Sequence, residues 1–310
     1  MRAPSSRPSR RGEVHAVTAI KRIMVTGAAG QLGSTIVARL SRQRNVFPFT
    51  RAQLDIADER AVLDAAQSAT PDAIINCAAY NSVDDAEDDP MSALNGNSLG
   101  VKALARAAHA TGAVFVHYGT DFVFDGNAET PYTEDHPPKP LSVYGTSKLL
   151  GEWFALEAPA AYVLRVESLF GGQPAKSSID KILSAILEGR PVRVFSDRSV
   201  TPSYVEDVST ATEALLETRA PYGIYHCVSS GVTTWLGVAE EASQVLQKQA
   251  DIVPVRSDSI KLRAMRPRYC ALSNEKLASV GITMPSWQDA LRRYCGSIAG
   301  IARDDSRASS

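Results

Sequence analysis

The chain of 310 residues carries 33 Lys and Arg against 34 Asp and Glu, a formal net charge of -1, and is 44% hydrophobic and 22% charged. That balance argues against a nucleic-acid role, for which a basic stripe or an aromatic-interleaved basic patch is expected, and the length suffices for a large core in one two-lobed unit or two domains. The cysteines Cys77, Cys227, Cys270 and Cys295 form no C-x-x-C pair, so they read as reduced thiols in a cytoplasmic protein, with no metal site and no disulfide framework.

Residues 1–20 are rich in Arg, Ser and Pro and hold no apolar stretch long enough for a signal core or a membrane span, so they read as a disordered tail. A transit peptide and a mis-assigned upstream start are the alternatives. The apolar run Arg22-Ile23-Met24-Val25-Thr26 then leads into Gly27-Ala28-Ala29-Gly30-Gln31-Leu32-Gly33 and a helical pattern over 31–42. In such a strand, glycine turn and helix the backbone can approach a pyrophosphate, which rests on the amides and positive end of the helix. The spacing is G-x-x-G-x-x-G, a departure from the commoner G-x-G-x-x-G, and a turn that binds nothing is the alternative reading.

A strand at 46–50 ends in Arg51, where an NAD-preferring site usually carries an acid that bonds the ribose 2′-hydroxyl. Arg51 can instead pair with a 2′-phosphate, which predicts NADPH as cofactor with NADH possible; a solvated loop position is the alternative. Further along come a helix at 58–68, a strand at 73–77, a helix at 90–111 opening at Pro90, and a strand at 113–118. Thr120 follows, and then a helix at 144–157 that contains Tyr144-Gly145-Thr146-Ser147-Lys148. Lys148 lies one helical turn beyond Tyr144, where its ammonium would favour the phenolate and lower a pKa that is ordinarily near ~10. Tyr144 thereby becomes a candidate proton donor to an alkoxide, with Thr120 as its hydroxyl partner.

With a last strand at 161–166, strands and helices alternate as in a Rossmann-type α/β fold, a doubly wound parallel sheet covered on both faces. After residue 166 prolines punctuate shorter elements. The expected organisation is a tail at 1–20, a dinucleotide-binding domain at 21–166, a smaller C-terminal substrate-binding lobe at 167–298 partly interleaved with the sheet, and a second loose tail at 299–310.

Taken together these motifs resemble the extended short-chain dehydrogenase/reductase superfamily and, within it, the dTDP-4-dehydrorhamnose reductase family. The resemblance runs from about Arg22 to Cys295 through the glycine loop, Leu54-Asp55-Ile56, Asn76-Cys77-Ala78-Ala79-Tyr80, Val83-Asp84, Ala86-Glu87, His117-Tyr118-Gly119-Thr120-Asp121-Phe122, the Tyr144 to Lys148 segment, Arg266-Pro267 and Pro285-Ser286-Trp287. It implies that Tyr144 is the proton donor, that Lys148 binds the nicotinamide ribose and tunes Tyr144, and that Thr120 assists at the same carbonyl, with Asp121 and Phe122 beside the substrate. It also implies Gln31 and Leu32 at the pyrophosphate between Gly27, Gly30 and Gly33, Asp55 and Ile56 at the adenine, and Cys77, Ala78 and Ala79 along the ribose. Asp55 as a helix cap, and residues 77–79 as ordinary strand-end packing, are the alternatives. Asn97 matches a position that supports the catalytic lysine through water; a solvent-facing Asn97 is the alternative.

Where the family commonly has a tyrosine after Thr-Asp the chain has Phe122, and where it often has Thr-Ser-Trp after the arginine the chain has Val166-Glu167-Ser168. Thr35 occupies the position of a glutamate that serves a metal site in the family, so no metal is expected. The implied activity is NADPH-dependent reduction of a nucleotide-linked 4-keto-6-deoxysugar, most of all dTDP-4-dehydro-L-rhamnose, by a monomer or homodimer that engages neither nucleic acid nor membrane. A sugar-nucleotide epimerase or dehydratase of the same fold, and a non-catalytic NADP-binding regulatory subunit, are the alternatives.

Overall fold

A computed structural model describes residues 19–308. The first strand, β1 (Arg22–Thr26), is apolar at both faces and enters the middle of a sheet, so it reads as a continuous hydrophobic run instead of an alternation. Helix α1 (Gln31–Leu40) follows the glycine turn, and the chain continues through β2 (Asn45–Phe49), α2 (Glu59–Ala69), β3 (Ala73–Asn76), α3 (Asp85–Asp88), α4 (Pro90–Leu94), a wide turn of π-helix over 95–99, α5 (Gly100–Thr111), β4 (Val114–Thr120), α6 (Val143–Ala155) and β5 (Ala161–Val166). Asp58 caps α2 by accepting from Ala61 N at 3.0 Å; Asp55, the residue weighed as a cap, accepts instead from Ala57 N within its own turn.

The sheet is fully parallel in the order β2-β1-β3-β4-β5-β8, where β8 (Gly223–His226) comes from the second half of the chain. This is the doubly wound pattern. The strand order reverses between β1 and β3, which leaves a crevice beyond their carboxyl ends. Ile23, Val25, Ala73, Ile75, Val116 and Leu164 face one layer of helices, while Met24, Ile74, Phe115 and Val163 face the other, the period-2 alternation of a sheet sandwiched between two cores. Pro48 sits in β2, an edge strand, where the missing N–H costs no ladder bond on the open side.

Between β5 and β8 lie α7 (Ser178–Leu187), β6 (Val192–Phe195), β7 (Ser199–Val200) and α8 (Val205–Thr218); after β8 come β9 (Thr233–Thr234), α9 (Trp235–Val245), β10 (Ile252–Val255), α10 (Glu275–Ser279) and α11 (Trp287–Ala308). Helix α8 packs on α1, with Arg44 bridging to Glu213 and Glu217 at 2.5 Å each. Strands β6 and β10 form a small parallel pair, and β7 and β9 an antiparallel one.

Two expectations for the ends need correction. Ile20, assigned to the N-terminal tail, packs against the core; the rest of that tail, 1–18, lies outside the described residues. The segment 299–308, expected to be loose, continues the backbone of α11 as helix. Residues 309–310 lie outside the described residues. Among the described residues no helix is long and apolar enough to cross a membrane.

Candidate active site

A cavity of about 1200 Å³ opens at the carboxyl ends of β1, β3, β4 and β5 and runs on into the segment around α7 and β6. Its floor is the glycine turn. Gly27 adopts φ +67°, and a Cβ there would come within 2.5 Å of Ala78 N; a Cβ on Gly33 would come within 2.2 Å of the Gly27 carbonyl oxygen. Both positions therefore need glycine, one to lay the turn against the end of β3 and the other to seat α1 on the turn. Thr26 Oγ1 donates to Asn76 Oδ1 at 2.8 Å, and Ala78 N donates to the same oxygen at 3.0 Å, which locks the ends of β1 and β3 together. Gly30, Gln31 and Leu32 line the cavity, and the buried Gln31 Nε2 has no hydrogen-bond partner. An unpaired buried donor on a cavity wall beside free helix N-terminal amides fits a phosphate-bearing ligand.

Cys77, Ala78 and Ala79 also line the cavity. Ile56 does not: its side chain is buried in the core, close enough to Gly100 that a Cβ there would meet it at 2.7 Å. Asp55 and Arg51 are exposed and lie outside the cavity lining, Arg51 in the turn that follows β2. The bond from Ala28 N to Phe49 O at 3.1 Å sets that turn beside the glycine loop. Thr35 is buried and donates to Gln31 O at 3.1 Å within α1.

The opposite wall carries the hydroxyls. Strand β4 runs two residues further than its sequence pattern suggested, because Gly119 and Thr120 stay in register with Arg165 and Val166 of β5. Thr120 is thus the last strand residue, and Asp121 and Phe122 begin a short 3-10 turn. Ser142 caps α6 through Gly145 N at 3.1 Å, and Glu87 accepts from Val143 N at 2.9 Å, so Tyr144 sits in a fixed first turn. A Cβ on Gly145 would lie 2.4 Å from Phe122 O, which explains the glycine after the tyrosine. Phe122 meets the Tyr144 ring edge to face, with centroids 5.6 Å apart.

Tyr144, Lys148, Thr120, Asp121 and Phe122 all line the cavity. The electrostatics differ from the sequence expectation. Lys148 Nζ donates to Tyr118 O at 2.6 Å, and what acts on Tyr144 is burial first, then the Asp121 charge, both raising its pKa, against a hydrogen bond from Thr120 that lowers it. Lys148 itself is brought down to about 8 by burial, partly offset by the Glu152 carboxylate. Glu152 is buried in a pair with Arg165 at 2.8 Å, under Gly119.

Asn97 is 1% exposed, which excludes the solvent-facing alternative, and it stands off the cavity. In the π-helical turn its Oδ1 accepts from Tyr80 N at 2.8 Å while Nδ2 donates to Tyr80 O and to Ser147 Oγ, each at 3.0 Å. Its direct protein partners are therefore Tyr80 and Ser147.

Sequence reasoning missed several lining groups. Glu167 and Cys270 converge with Asp121, the residue expected beside the substrate, their ligating atoms within 4.8 Å of one another and all three residues buried. Cys270 therefore borders a polar cluster. Lys176, Lys181, Arg190 and Arg193 line the far end of the cavity with Trp235, and their crowding between 176 and 193 in a nearly neutral chain was the available cue. Arg266, on the cavity lining, grips Asp84 at 2.7 and 3.0 Å and holds that carboxyl well below its usual range, so two motifs without a role in the sequence form one pair beside the cavity.

The family model described as RmlD substrate binding domain matches residues 21–299. A dTDP-4-dehydrorhamnose reductase of Streptomyces griseus is 35% identical over 291 residues, 91% of this chain and 95% of the relative. Among solved structures, dTDP-4-dehydrorhamnose reductase from Bacillus anthracis strain Ames, in complex with NADP, superposes with a TM-score of 0.86 at 31% identity, covering 90% of this chain and 99% of the other. A UDP-glucose 4-epimerase of Thermus thermophilus, at 23% identity and a TM-score of 0.75 over 88% of this chain and 97% of the other, shares the fold.

Proposed function

This chain belongs to the RmlD substrate binding domain family, and from that premise we propose that it is an NADPH-dependent reductase of dTDP-4-dehydro-L-rhamnose, giving dTDP-L-rhamnose. The observation that carries the reading is one cavity whose floor is a glycine cradle and whose wall brings Thr120, Tyr144 and Lys148 together. The cradle fits a dinucleotide: Gly27 and Gly33 have no room for a Cβ, and Gln31 Nε2 is an unpaired donor where a pyrophosphate would rest. Gly30, Gln31 and Leu32 would hold the pyrophosphate, with Cys77, Ala78, Ala79 and Lys148 along the nicotinamide half. A reduced nicotinamide bound by these residues would supply the hydride for reduction of the ketone.

The chain's own groups handle the oxygen. Burial keeps the Tyr144 phenol protonated at neutral pH, so it meets the ketone as an acid, and it gives up its proton only to an oxygen that is becoming an alkoxide. Thr120 Oγ1 shares that oxygen's side of the cavity and is oriented by its bond to Asp121 Oδ1 at 3.0 Å. Lys148, a turn further along α6, brings positive charge to the wall where the anionic cofactor and the phenol meet. At the far end Lys176, Lys181, Arg190 and Arg193 are suited to the diphosphate of the sugar nucleotide, and Trp235 offers a flat face to its base. On this reading the enzyme works in the cytoplasm as a monomer or homodimer and engages no nucleic acid. The test is NADPH oxidation with a panel of 4-keto nucleotide sugars: turnover should be highest with dTDP-4-dehydro-L-rhamnose, and NADPH binding without oxidation by any ketone would reject the enzyme.

A further inference from the structure

Glu167 and Asp121 approach each other from the ends of β5 and β4 on the cavity wall, only 2% and 4% exposed. Their oxygens lie within 4.8 Å of each other. Glu167 Oε2 accepts from Thr201 N and from Thr201 Oγ1, its Oε1 accepts from Ser168 Oγ at 3.4 Å, and Asp121 Oδ1 accepts from Thr120. Arg198, the cation acting on Asp121, donates its Nη2 to Pro267 O at 3.0 Å. Burial pushes both carboxyls up, and the Asp121 charge raises Glu167 further, so the pair keeps a proton that two exposed acids would lose.

A second observation comes from the backbone. Ser168, the next residue and itself on the cavity wall, has φ +45°, a left-handed conformation that a non-glycine residue adopts at a cost. The surroundings enforce it: Ser203 N donates to Glu167 O at 3.0 Å, Glu167 N to Ser203 Oγ at 3.3 Å, and Phe170 N to Ser203 O at 3.0 Å. A strand end held this firmly, with a strained residue beside a buried acid, fixes the position of the acid against the cavity. Where the family often has Thr-Ser-Trp, the chain thus has a hydrogen-bonding donor and acceptor pair.

We propose that Glu167, paired with Asp121, selects the sugar: the two groups hydrogen-bond neighbouring free hydroxyls of the ring, so the ligand class is a nucleotide-linked sugar that keeps its 2- and 3-hydroxyls. The proposal rests on the reductase reading and names the part of the substrate that the cavity recognises. A site built to hydrogen-bond a hydroxyl rejects the analogue that lacks it, because its own buried groups are then left unpaired.

Calorimetric titration of the NADP-saturated protein with dTDP-L-rhamnose and with its 2-deoxy counterpart measures this directly. The wild type should prefer the hydroxylated ligand by roughly tenfold or more. Glu167→Ala should erase the preference by weakening only the hydroxylated ligand, and Glu167→Gln, nearly isosteric with the protonated acid, should keep part of it. Equal wild-type affinities, or an undiminished preference in Glu167→Gln and Glu167→Ala, would overturn the proposal. Should Glu167→Ala fail to fold, Glu167→Gln decides, with thermal melting and NADPH affinity as its folding controls. Turnover is a separate readout: if the 4-keto precursors of these two ligands are both left unreduced, the reductase reading falls, while the calorimetric preference still decides the role of Glu167.

Discussion

Asn97 Nδ2 donates to Ser147 Oγ at 3.0 Å, and this bond joins the π-helical turn before α5 to the helix that carries Tyr144 and Lys148. The two elements touch closely because α6 has Gly151 opposite the turn, where a Cβ would lie 2.0 Å from Asn97 O. Ser98 Oγ adds a bond to Ser147 O at 2.8 Å. A wide turn of π-helix at this point aims an amide side chain that a regular helix would direct elsewhere.

Asn97→Ala should therefore act on the position of α6. It strips partners from both backbone groups of Tyr80 and from Ser147, a loss of about 2–4 kcal/mol in denaturant unfolding. The value of kcat should fall further than NADPH affinity. Unchanged unfolding together with unchanged kcat would reject the positioning role.

Tyr144→Phe keeps the edge-to-face contact with Phe122 and removes only the hydroxyl. Turnover should drop roughly 10²-fold or more while the melting temperature and NADPH affinity hold. Near-normal turnover would move proton donation to another group.

The pH profile should report Lys148, which burial brings down to about 8. Below that pH the ammonium is present; as pH rises through it the charge is lost, so NADPH affinity and kcat/KM should both decline on the alkaline side. Lys148→Arg, permanently charged, should lose this limb of the profile even at reduced activity. A wild-type profile that stays flat well into the alkaline range would contradict the role.

Arg51 tests cofactor choice. Exposed in the turn after β2 and beside the glycine loop, it is free to meet a 2′-phosphate. Arg51→Ala should cost about 1.5–3 kcal/mol of NADPH binding and leave NADH nearly unaffected. Equal losses in kcat/KM for the two cofactors, or an initial NADH preference, would remove Arg51 from the selection.

Features set by neighbours in the chain were legible in the sequence. A strand, a glycine turn and a helix follow from local periodicity and from the glycine spacing, so the cradle at Gly27 to Gly33 could be read directly, as could Tyr144 and Lys148 one helical turn apart. What each of these groups experiences was decided by tertiary structure. Lys148 turns to the Tyr118 carbonyl, and Tyr144 is governed by burial and Asp121, because charge energies depend on depth and on neighbours that only the packed sheet supplies. The meeting of Glu167 with Asp121 depends on the register of β4 against β5 and on Thr201 arriving from beyond α7. Asp84 and Arg266, 182 residues apart, likewise become partners only when the chain after β10 folds back over the cavity. Sequence patterns reach a few residues along the chain, whereas the specificity of this cavity is assembled from residues that folding alone brings within hydrogen-bonding distance.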